Sequence, residues 1–257
     1  MDDPVLAQHA SGADSSVDLG VEYTGRDNLD VMRAAFHYNT MLYEWVRKAA
    51  EGCERIVDFG AGAGAFAIPL ASEGLMVLCV EVDHHFQALL RKQGLAVVGD
   101  LSGVPDDSID LIYAFDVLEH IRTESEVLET WWRKLRPGGE LLVYVPAFQV
   151  LYSSMDKRIG HYRRYRSRSA RVKLRAAGFA VDASEYVDCL GFFASLLYKL
   201  TSDGAGTIAW GPVRLYDRFV FRISRKVDHV THRWLGKNLI VRAHKPWSPG
   251  PSFPHEV

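Results

Sequence analysis

Residues 55–64 are Arg55-Ile56-Val57-Asp58-Phe59-Gly60-Ala61-Gly62-Ala63-Gly64, an apolar run that ends in an acid and is followed by three glycines at alternate positions. The apolar run predicts a buried strand, and the residues from Ala65 to Ala71 predict the start of a helix. Glycines permit a sharp turn and a close approach of the backbone to a ligand, because they lack a Cβ atom. A strand, a glycine turn and a helix in this order are typical of a nucleotide-binding site.

Two cofactors fit this turn. The spacing Gly60-x-Gly62-x-x-Ala65 satisfies the loose dinucleotide fingerprint, so NAD is one candidate. Asp58 favours the other candidate, S-adenosylmethionine (SAM). A carboxylate two residues before the first glycine would repel a pyrophosphate, but it can accept hydrogen bonds from the ammonium group of SAM, which carries no phosphate. We therefore expect SAM.

Acids also follow the next two predicted strands. Glu81 lies a little over the roughly 20 residues from Asp58 that are expected for a ribose-binding acid, and its carboxylate can accept from both ribose hydroxyls. Asp83 is the alternative ribose ligand, but we expect it to cap the helix His84–Lys92. Asp100 ends the third strand and could accept from the adenine amine, unless it is a plain turn residue.

Four blocks of the sequence resemble class I SAM-dependent methyltransferases in order and spacing, especially the bacterial small-molecule group called type 11/12. These blocks are VDFGAGAG (57–64), VEVD (80–83), VVGDLSGVPDDSIDLIYAFDVLEHI (97–121) and LRPGGELLVYVP (135–146). The resemblance implies an α/β, Rossmann-like sheet of seven strands with the last strand antiparallel and helices on both faces. It also implies an N-terminal helical lid. The pattern departs from a bare methyltransferase core from Tyr186 onward, where we predict a C-terminal helical insert.

The same resemblance implies roles for the cofactor residues. Asp58, Gly60 and Gly62 would hold the methionine part of SAM, Glu81 the ribose, and Asp100 with Leu101 the adenine. The N-terminal lid lies over the cofactor in this family, so Tyr23 is a predicted SAM contact and Tyr38 a predicted acceptor contact. Aromatic residues at helical spacing are, alternatively, core residues. The remaining predicted cofactor contacts are Ala61, Val82 and Phe115.

The predicted strand Ile109–Phe115 is followed by Asp116-Val117-Leu118-Glu119-His120. Ligands bind beyond the carboxyl ends of parallel strands, so these polar groups are expected near the methyl group. Two carboxylates and an imidazole suit a metal ion, and the segment resembles the E-x-x-E-H segment of ubiquinone-pathway O-methyltransferases, where a divalent metal has been proposed. Since Glu-His is common in the family without metal, we predict no metal and regard Glu119 and His120 as candidate catalytic groups.

Residues 157–175 contain nine Lys and Arg residues and no acid. They overlap the pattern D-x-x-x-G-H-x-R-R-Y at 156–165, which resembles the insert that closes the acceptor pocket in the type 11/12 group. We predict that His161 acts as a general base and that Arg163 and Arg164, with Tyr165, position an anionic acceptor, because a guanidinium binds two oxygens at once. The alternative is that these arginines pin the insert to the sheet.

A long helix is predicted from Gly211 to about Leu235, with two stripes at steps of three and four residues. The apolar stripe contains Leu215, Phe219, Ile223, Val227, Val230 and Trp234, and the basic stripe contains Arg214, Arg218, Arg222 and Arg225. We expect the apolar stripe to pack on its own domain and the arginines to be solvated. Weak peripheral contact with an anionic membrane, a homodimer face and a pocket wall are the alternatives.

Composition excludes several classes. A net charge of −2 gives no general attraction to nucleic acid, and Ala114-Phe115-Asp116-Val117 stands where nucleic-acid amino-methyltransferases have Asn/Asp-Pro-Pro-Tyr. The three cysteines form neither a disulfide framework nor a metal-binding pattern. We see no signal peptide and no apolar run of about 18–20 residues, so we expect a cytoplasmic location and no transmembrane segment.

The predicted organisation is a disordered tail (1–20), a helical lid (21–52), a SAM-binding core (53–147), an acceptor-side insert with helices and closing strands (148–245) and a flexible tail (246–257). The predicted function is transfer of a methyl group from SAM to a hydroxyl, carbon or amine of a small molecule with aromatic, isoprenoid or anionic character. The alternatives are a non-methyl reaction on the same fold and a non-catalytic partner subunit.

Overall fold

The fold is built on a seven-stranded sheet, which a computed structural model describes together with its helices for residues 35–201 and 210–247. The strand order is β3-β2-β1-β4-β5-β7-β6. Strand β7 runs antiparallel to both of its neighbours, and the other pairs are parallel. The predicted sheet with an antiparallel last strand is therefore confirmed. The strands are β1 (Ile56–Phe59), β2 (Val77–Val80), β3 (Ala96–Val98), β4 (Ile109–Phe115), β5 (Leu135–Pro146), β6 (Ala180–Val187) and β7 (Asn238–His244).

Helices cover both faces of the sheet, as predicted. Alternate residues of β4 face opposite sides, so Ile112 lies in one apolar cluster and Leu111 in the other. Trp131 covers the first side and Leu90 the second. The helices are α1 (Phe36–Ala49), α2 (Ala67–Ser72), α3 (His84–Lys92), α4 (Glu124–Lys134), α5 (Ser154–Arg158), α6 (Ser167–Ala176), α7 (Cys189–Thr201), α8 (Trp210–Leu215) and α9 (Arg222–Thr231), with 3₁₀ turns at Leu118–His120 and Gln149–Leu151.

The segment after α8 differs from the sequence prediction. The predicted long helix is interrupted by a π-helical turn, Tyr216–Phe221. The carboxylate of Asp217 in this turn accepts hydrogen bonds from the backbone N–H groups of His37 and Tyr38, both at 2.9 Å. It therefore caps the first turn of α1, whose own N-cap position, Ala35, has no side-chain acceptor.

A second set of polar contacts faces inward from α9. Asp228 accepts hydrogen bonds from the backbone N–H groups of Asp188 and Cys189, each at 2.8 Å, and Ser224 accepts from Leu190 at 3.0 Å. These bonds satisfy donors at the start of α7.

The prediction that the apolar stripe packs on its own domain is wrong for five of its six residues. Leu215, Phe219, Ile223, Val230 and Trp234 are exposed, and only Val227 is partly buried. The side of the segment that faces the domain is instead formed by Asp217, Phe221, Ser224 and Asp228. The reason is that buried backbone donors of α1 and α7 need acceptors, and the two acids and the serine supply them.

Some predictions fall on residues that the structure does not describe. The tail 1–20, the residues 21–34 of the lid including Tyr23, and the residues 248–257 lie outside the described ranges. The domain boundaries stay predictions. Within the two described ranges, no helix combines the length and the apolar character needed to cross a membrane.

Candidate active site

A cavity of about 800 Å³ opens at the carboxyl ends of β1, β2, β4 and β5. Parallel α/β sheets bind ligands at this edge, and this volume is typical of a ligand site. We call this cavity the cleft. The predicted site residues that line it are Tyr38, Asp58, Gly60, Ala61, Gly62, Glu81, Val82, Phe115, His120, His161 and Arg164.

The glycine turn after β1 has the backbone geometry that its sequence predicts. Gly60 has a φ of +81°, and a Cβ atom there would lie 2.5 Å from a methyl group of Val117. Gly62 has a φ of +52°, and a Cβ atom there would meet only open space. The first glycine is thus required by packing as well as by conformation, whereas the second leaves room for a ligand beside the backbone.

Asp58 lies at the base of the cleft and is 4 % exposed. Its Oδ2 atom has no hydrogen-bond partner among the described residues. Burial raises the pKa of Asp58 to about 7, although the Tyr113 hydroxyl beside this carboxyl lowers it. A buried carboxylate oxygen without a partner is costly unless a ligand supplies a donor, and a cationic donor compensates the charge best. This observation fits the ammonium group of SAM.

Glu81 follows β2 and is held in one orientation by the backbone. Its Oε2 accepts from the N–H of Gly62 at 2.7 Å, and its Oε1 accepts from the N–H of Asp83 at 2.8 Å. A carboxylate has about four lone-pair positions, so acceptor capacity remains for two ribose hydroxyls. The carboxylate of Asp83 instead accepts from the N–H of His85 at 2.8 Å and caps α3, as the sequence predicts.

A network of three side chains forms the opposite wall of the cleft. Asp156 Oδ1 lies 2.8 Å from His161 Nδ1, and the two carboxylate oxygens accept from Arg164 Nε at 2.8 Å and from its terminal nitrogen at 3.0 Å. Burial alone would raise the pKa of Asp156, but the hydrogen bonds from His161 and Arg164 hold it well below its usual range. An ionised Asp156 therefore fixes the His161 ring with a proton on Nδ1.

Two further groups lie beside the Nε2 side of His161. The ring of His120 is 4.6 Å from that of His161, and burial lowers the pKa of His120 to about 3. Glu119 is fully buried, with one oxygen 3.7 Å from His161 Nε2, and burial with the charge of Asp116 raises its pKa. Both Glu119 oxygens lack hydrogen-bond partners among the described residues. His120 is thus a neutral imidazole at neutral pH, and the surroundings of Glu119 favour its protonated form.

This cluster corrects the prediction for Glu119 and keeps the metal alternative open. Glu119 is not among the residues that line the cleft, so we expect it to act on an acceptor through His161 or His120, which do line it. Glu119, His120 and His161 offer ligand atoms within 4.8 Å of one another, a group that could hold a metal ion. Asp116, which the sequence placed with Glu119 and His120, also lines the cleft but lies outside this group.

The predicted acceptor-binding arginines need a correction. Arg163 lies outside the lining of the cleft, where it pairs with Glu124 at 3.0 Å and donates to the carbonyl of Arg122 at 2.8 Å. Tyr165 is buried and donates to the same Glu124. Arg164 lines the cleft, but its guanidinium binds Asp156. The basic segment therefore pins the insert to the domain, because each of these groups already has a protein partner.

Two predicted cofactor residues are also placed away from the lining of the cleft. Asp100 accepts from the N–H of Ser102 at 2.7 Å, and Leu101 is buried in the core. Their roles toward adenine stay predictions. Tyr38 does line the cleft, in an aromatic group with Phe221 and Tyr144 at 5.5 and 6.2 Å between ring centroids.

Sequence reasoning missed Asp156 as a functional residue. It is the first residue of the D-x-x-x-G-H-x-R-R-Y pattern, and its position five residues before His161 was the available signal. The short helix α5, which begins at Ser154 with a capping box formed by Ser153 and Asp156, brings the acid and the histidine together.

Comparison with known proteins agrees with this geometry. Residues 57–143 match the model of a family described as a methyltransferase domain. Residues 57–143 therefore carry a methyltransferase domain. The predicted enzyme class and the predicted cofactor SAM are confirmed at the level of this family. The matched residues include the glycine turn, Glu81 and the end of β4.

Curated relatives are similar over part of their length. The chain is 27% identical over 165 residues to a probable S-adenosylmethionine-dependent methyltransferase of Mycolicibacterium smegmatis. This match covers 62% of each chain. It is 31% identical over 115 residues to the tRNA 5-carboxymethoxyuridine methyltransferase of Escherichia coli K12. That match covers 39% of this chain and 44% of the relative. The chain thus spans less than two thirds of the length of these relatives.

A solved structure with the same fold is a chain of the complex between the Haloferax volcanii Trm112 methyltransferase activator and a methyltransferase. The TM-score is 0.58 at 18% identity, and the match covers 88% of this chain and 98% of that one. At this identity the likeness shows the fold alone. The acceptor and the partners of the present domain are therefore matters for proposal.

Proposed function

We propose that this protein transfers a methyl group from SAM to a small-molecule acceptor bound between the glycine turn and His161. The observation that carries the proposal is the pairing of two elements across one cleft: a buried Asp58 oxygen without a partner, and a histidine oriented by an ionised Asp156. The first suits a cationic cofactor, and the second suits removal of a proton from an acceptor.

The cofactor side is proposed as follows. Asp58 accepts from the ammonium group, the backbone at Gly60 and Gly62 lies against the methionine part, and Glu81 accepts from the ribose hydroxyls. Val82 is an exposed aliphatic residue on the cleft wall and offers the adenine an apolar surface. Bound SAM would supply an activated methyl group, so that transfer needs mainly alignment of the acceptor.

On the acceptor side, His161 is the proposed general base. Its Nδ1–H donates to Asp156, which leaves Nε2 as the nitrogen that can take a proton. The protein then needs no rearrangement when the acceptor loses its proton, because Asp156 already carries the balancing charge. A neutral amine acceptor would not need this step, whereas a hydroxyl or an acidic carbon would.

Support for a small acceptor comes from the walls of the cleft. Tyr38, Phe115, Tyr198 and Phe221 give it an aromatic character that suits an aromatic or isoprenoid compound. The paired state of Arg164 and the position of Arg163 give an anionic acceptor less support. The tRNA substrate named for one relative and the Trm112 partner in the related complex leave nucleic acid and a partner protein open. A cytoplasmic location also stays a prediction.

The test has two stages. Calorimetric titration should show binding of SAM and no binding of NAD by the purified chain, and Asp58→Asn should weaken the SAM signal. Incubation of the chain with labelled SAM and an extract of its source cells should then label a low-molecular-weight compound. Absence of SAM binding would overturn the proposal, and label confined to RNA or protein would overturn the small-molecule acceptor.

A further inference from the structure

The C-terminal helices leave a large apolar surface toward solvent. Eight large apolar side chains on α7 and on the segment 210–235 are each more than half exposed. Helices α7 and α9 pack against one another, so both present their outer sides together. We call this surface the apolar–basic face; its apolar members are Phe193, Leu197, Leu200, Leu215, Phe219, Ile223, Val230 and Trp234.

The exposed side of the segment is not a core face left uncovered. Its opposite side is already occupied, since Asp217, Ser224 and Asp228 accept backbone hydrogen bonds and Phe221 is buried among aromatic rings. Rotation of the helix to bury the apolar residues would break these bonds. The apolar side chains therefore have no place in the core that residues 35–201 and 210–247 form, and exposed apolar patches of this kind mark an interaction surface.

Basic residues are interleaved with the apolar ones. Four of the exposed apolar residues directly follow an arginine, in the pairs Arg214-Leu215, Arg218-Phe219, Arg222-Ile223 and Arg233-Trp234. Lys226 is exposed on the same segment, and Arg225 contacts Glu44 of α1 at 3.7 Å. The two acids of the segment, Asp217 and Asp228, face inward. The outer side of the segment is thus positive, although the whole chain has a net charge of −2.

We propose that the apolar–basic face binds the surface of an anionic phospholipid membrane, with α7 and the segment 210–235 lying in the interface. An arginine beside four of the eight apolar side chains is suited to this surface, because the apolar group can enter the acyl region while the guanidinium reaches back to lipid phosphates. A solvated helix face would not need the aromatic and aliphatic residues, and an uncharged apolar partner would not need the arginines.

Helix α7 and the π-helical turn also form part of the wall of the cleft, on the side away from the apolar–basic face. Gly191, Ser195 and Tyr198 of α7 and Tyr216 of the π-helical turn line the cavity. A membrane bound to the outer side of these helices would place the cleft next to lipid. The consequence for catalysis, which depends on the proposed methyl transfer, is an amphiphilic acceptor that enters from the bilayer; membrane binding itself does not depend on it.

The test is cosedimentation of the full chain with vesicles of phosphatidylglycerol and phosphatidylcholine in equal amounts, against vesicles of phosphatidylcholine alone. We expect binding to the anionic vesicles that weakens as salt rises, because the surface potential is screened. The double variant Arg218→Gln/Arg222→Gln should lower the partition coefficient by about tenfold or more, since each charged contact near the surface contributes about a fivefold factor. Phe219→Ser/Ile223→Ser should lower it by about tenfold or more as well, because two large apolar side chains no longer enter the interface.

A matched control comes from α6, whose Arg168, Val172 and Arg175 are also exposed. The variants Val172→Ser and Arg168→Gln/Arg175→Gln should leave vesicle binding unchanged. Circular dichroism and SAM titration check that every variant is folded, and SAM binding keeps this test separate from that of the proposed function. The proposal is overturned if the wild-type chain does not bind anionic vesicles, or if the α6 variants lose as much binding. It is also overturned if light scattering shows a dimer that Phe219→Ser/Ile223→Ser dissociates, which would assign the face to a second copy.

Discussion

The cofactor side and the acceptor side of the cleft each contain one buried carboxylate, and the two are in opposite states. Asp58 is 4 % and Asp156 1 % exposed, yet burial raises the pKa of Asp58 to about 7 whereas hydrogen bonds hold that of Asp156 well below its usual range. The two carboxylates are buried almost equally, so the difference between their pKa values comes from their hydrogen-bond partners. Asp156 has a histidine and an arginine, and Asp58 Oδ2 has no partner among the described residues.

The difference separates two uses of a buried acid. A carboxylate that the protein already neutralises can orient a neighbour, so Asp156 fixes the tautomer of His161. A carboxylate that no cationic group of the described residues neutralises, and that keeps one oxygen without a hydrogen bond, is ready for a cation that arrives with a ligand, because pairing then offsets the cost of its desolvation. Binding is thus prepared at the end of β1 and proton transfer on α5 and the loop that follows it, so the two can be tested separately.

The largest expected effect is on the acceptor side. His161→Ala should lower turnover by roughly 10²–10⁴-fold, the usual range for a lost general base, while SAM affinity stays within a few-fold of wild type. Single-turnover transfer from labelled SAM and calorimetry measure the two quantities. His85→Ala, an exposed histidine on α3, is the control and should change neither. Unchanged turnover in His161→Ala would exclude it as the base.

Asp156→Ala should affect stability as well as turnover. It leaves Arg164 buried without its carboxylate, and loss of one partner of a buried ion pair costs about 3–5 kcal/mol. Urea unfolding measures the change. Asp182→Ala, which removes the partner of His244 in a pair that is exposed on both sides, should cost no more than about 1 kcal/mol. Equal losses in the two variants would show that the Asp156 network is not specially important to the fold.

Asp58→Asn should act mainly on cofactor affinity. A hydrogen bond to a charged group contributes about 1.5–3 kcal/mol, so SAM should bind about 10–150-fold more weakly. Asp83→Asn, which keeps the cap of α3, should alter SAM affinity by a few-fold at most. Calorimetric titration distinguishes the two, and similar affinities in all three proteins would contradict the assignment of Asp58 to the ammonium group.

The raised pKa of Asp58 also predicts how the stability of the ligand-free protein depends on pH. The folded state holds the Asp58 proton more tightly than the unfolded state, in which the pKa is near 3.8. The contribution of this group to stability therefore falls as pH rises from about 4 to about 7 and is constant above that. Asp58→Asn should gain stability relative to wild type from pH 5 to pH 8, by on the order of a few kcal/mol. A difference that does not change with pH would contradict a raised pKa.

The cofactor side could be predicted from the sequence because its residues lie close to one another in the chain. Asp58, Gly60 and Gly62 lie within five residues, and the strand and turn fix their relation. The spacing to Glu81 follows from one strand–helix–strand unit. Helix α3 was also predicted within its observed bounds, since Asp83 gives it a clear N-cap.

The acceptor side was harder to predict from the sequence, because its contacts join segments that are far apart in the chain. Arg163 and Tyr165 meet Glu124, which lies about 40 residues earlier, so their spacing gave no sign that both were engaged. Likewise, the apolar stripe of the segment 210–235 did not indicate that the polar side of this segment would face the domain. That side is buried because its acids accept hydrogen bonds from backbone N–H groups of α1 and α7. Periodicity shows that a helix has two faces, but the partners decide which face is buried.

The smallest predicted effect sharpens the same contrast between neighbours. Arg163→Gln removes a partly exposed ion pair with Glu124, which Lys173 also contacts, so stability should change by about 1 kcal/mol or less and the KM for the acceptor by no more than about twofold. Arg164→Gln, one residue away, removes the buried partner of Asp156 and should lower both stability and turnover. Steady-state kinetics of the two variants distinguish positioning through Asp156 from direct contact with an anion: a large rise in KM for Arg163→Gln would restore the original prediction that Arg163 binds the acceptor.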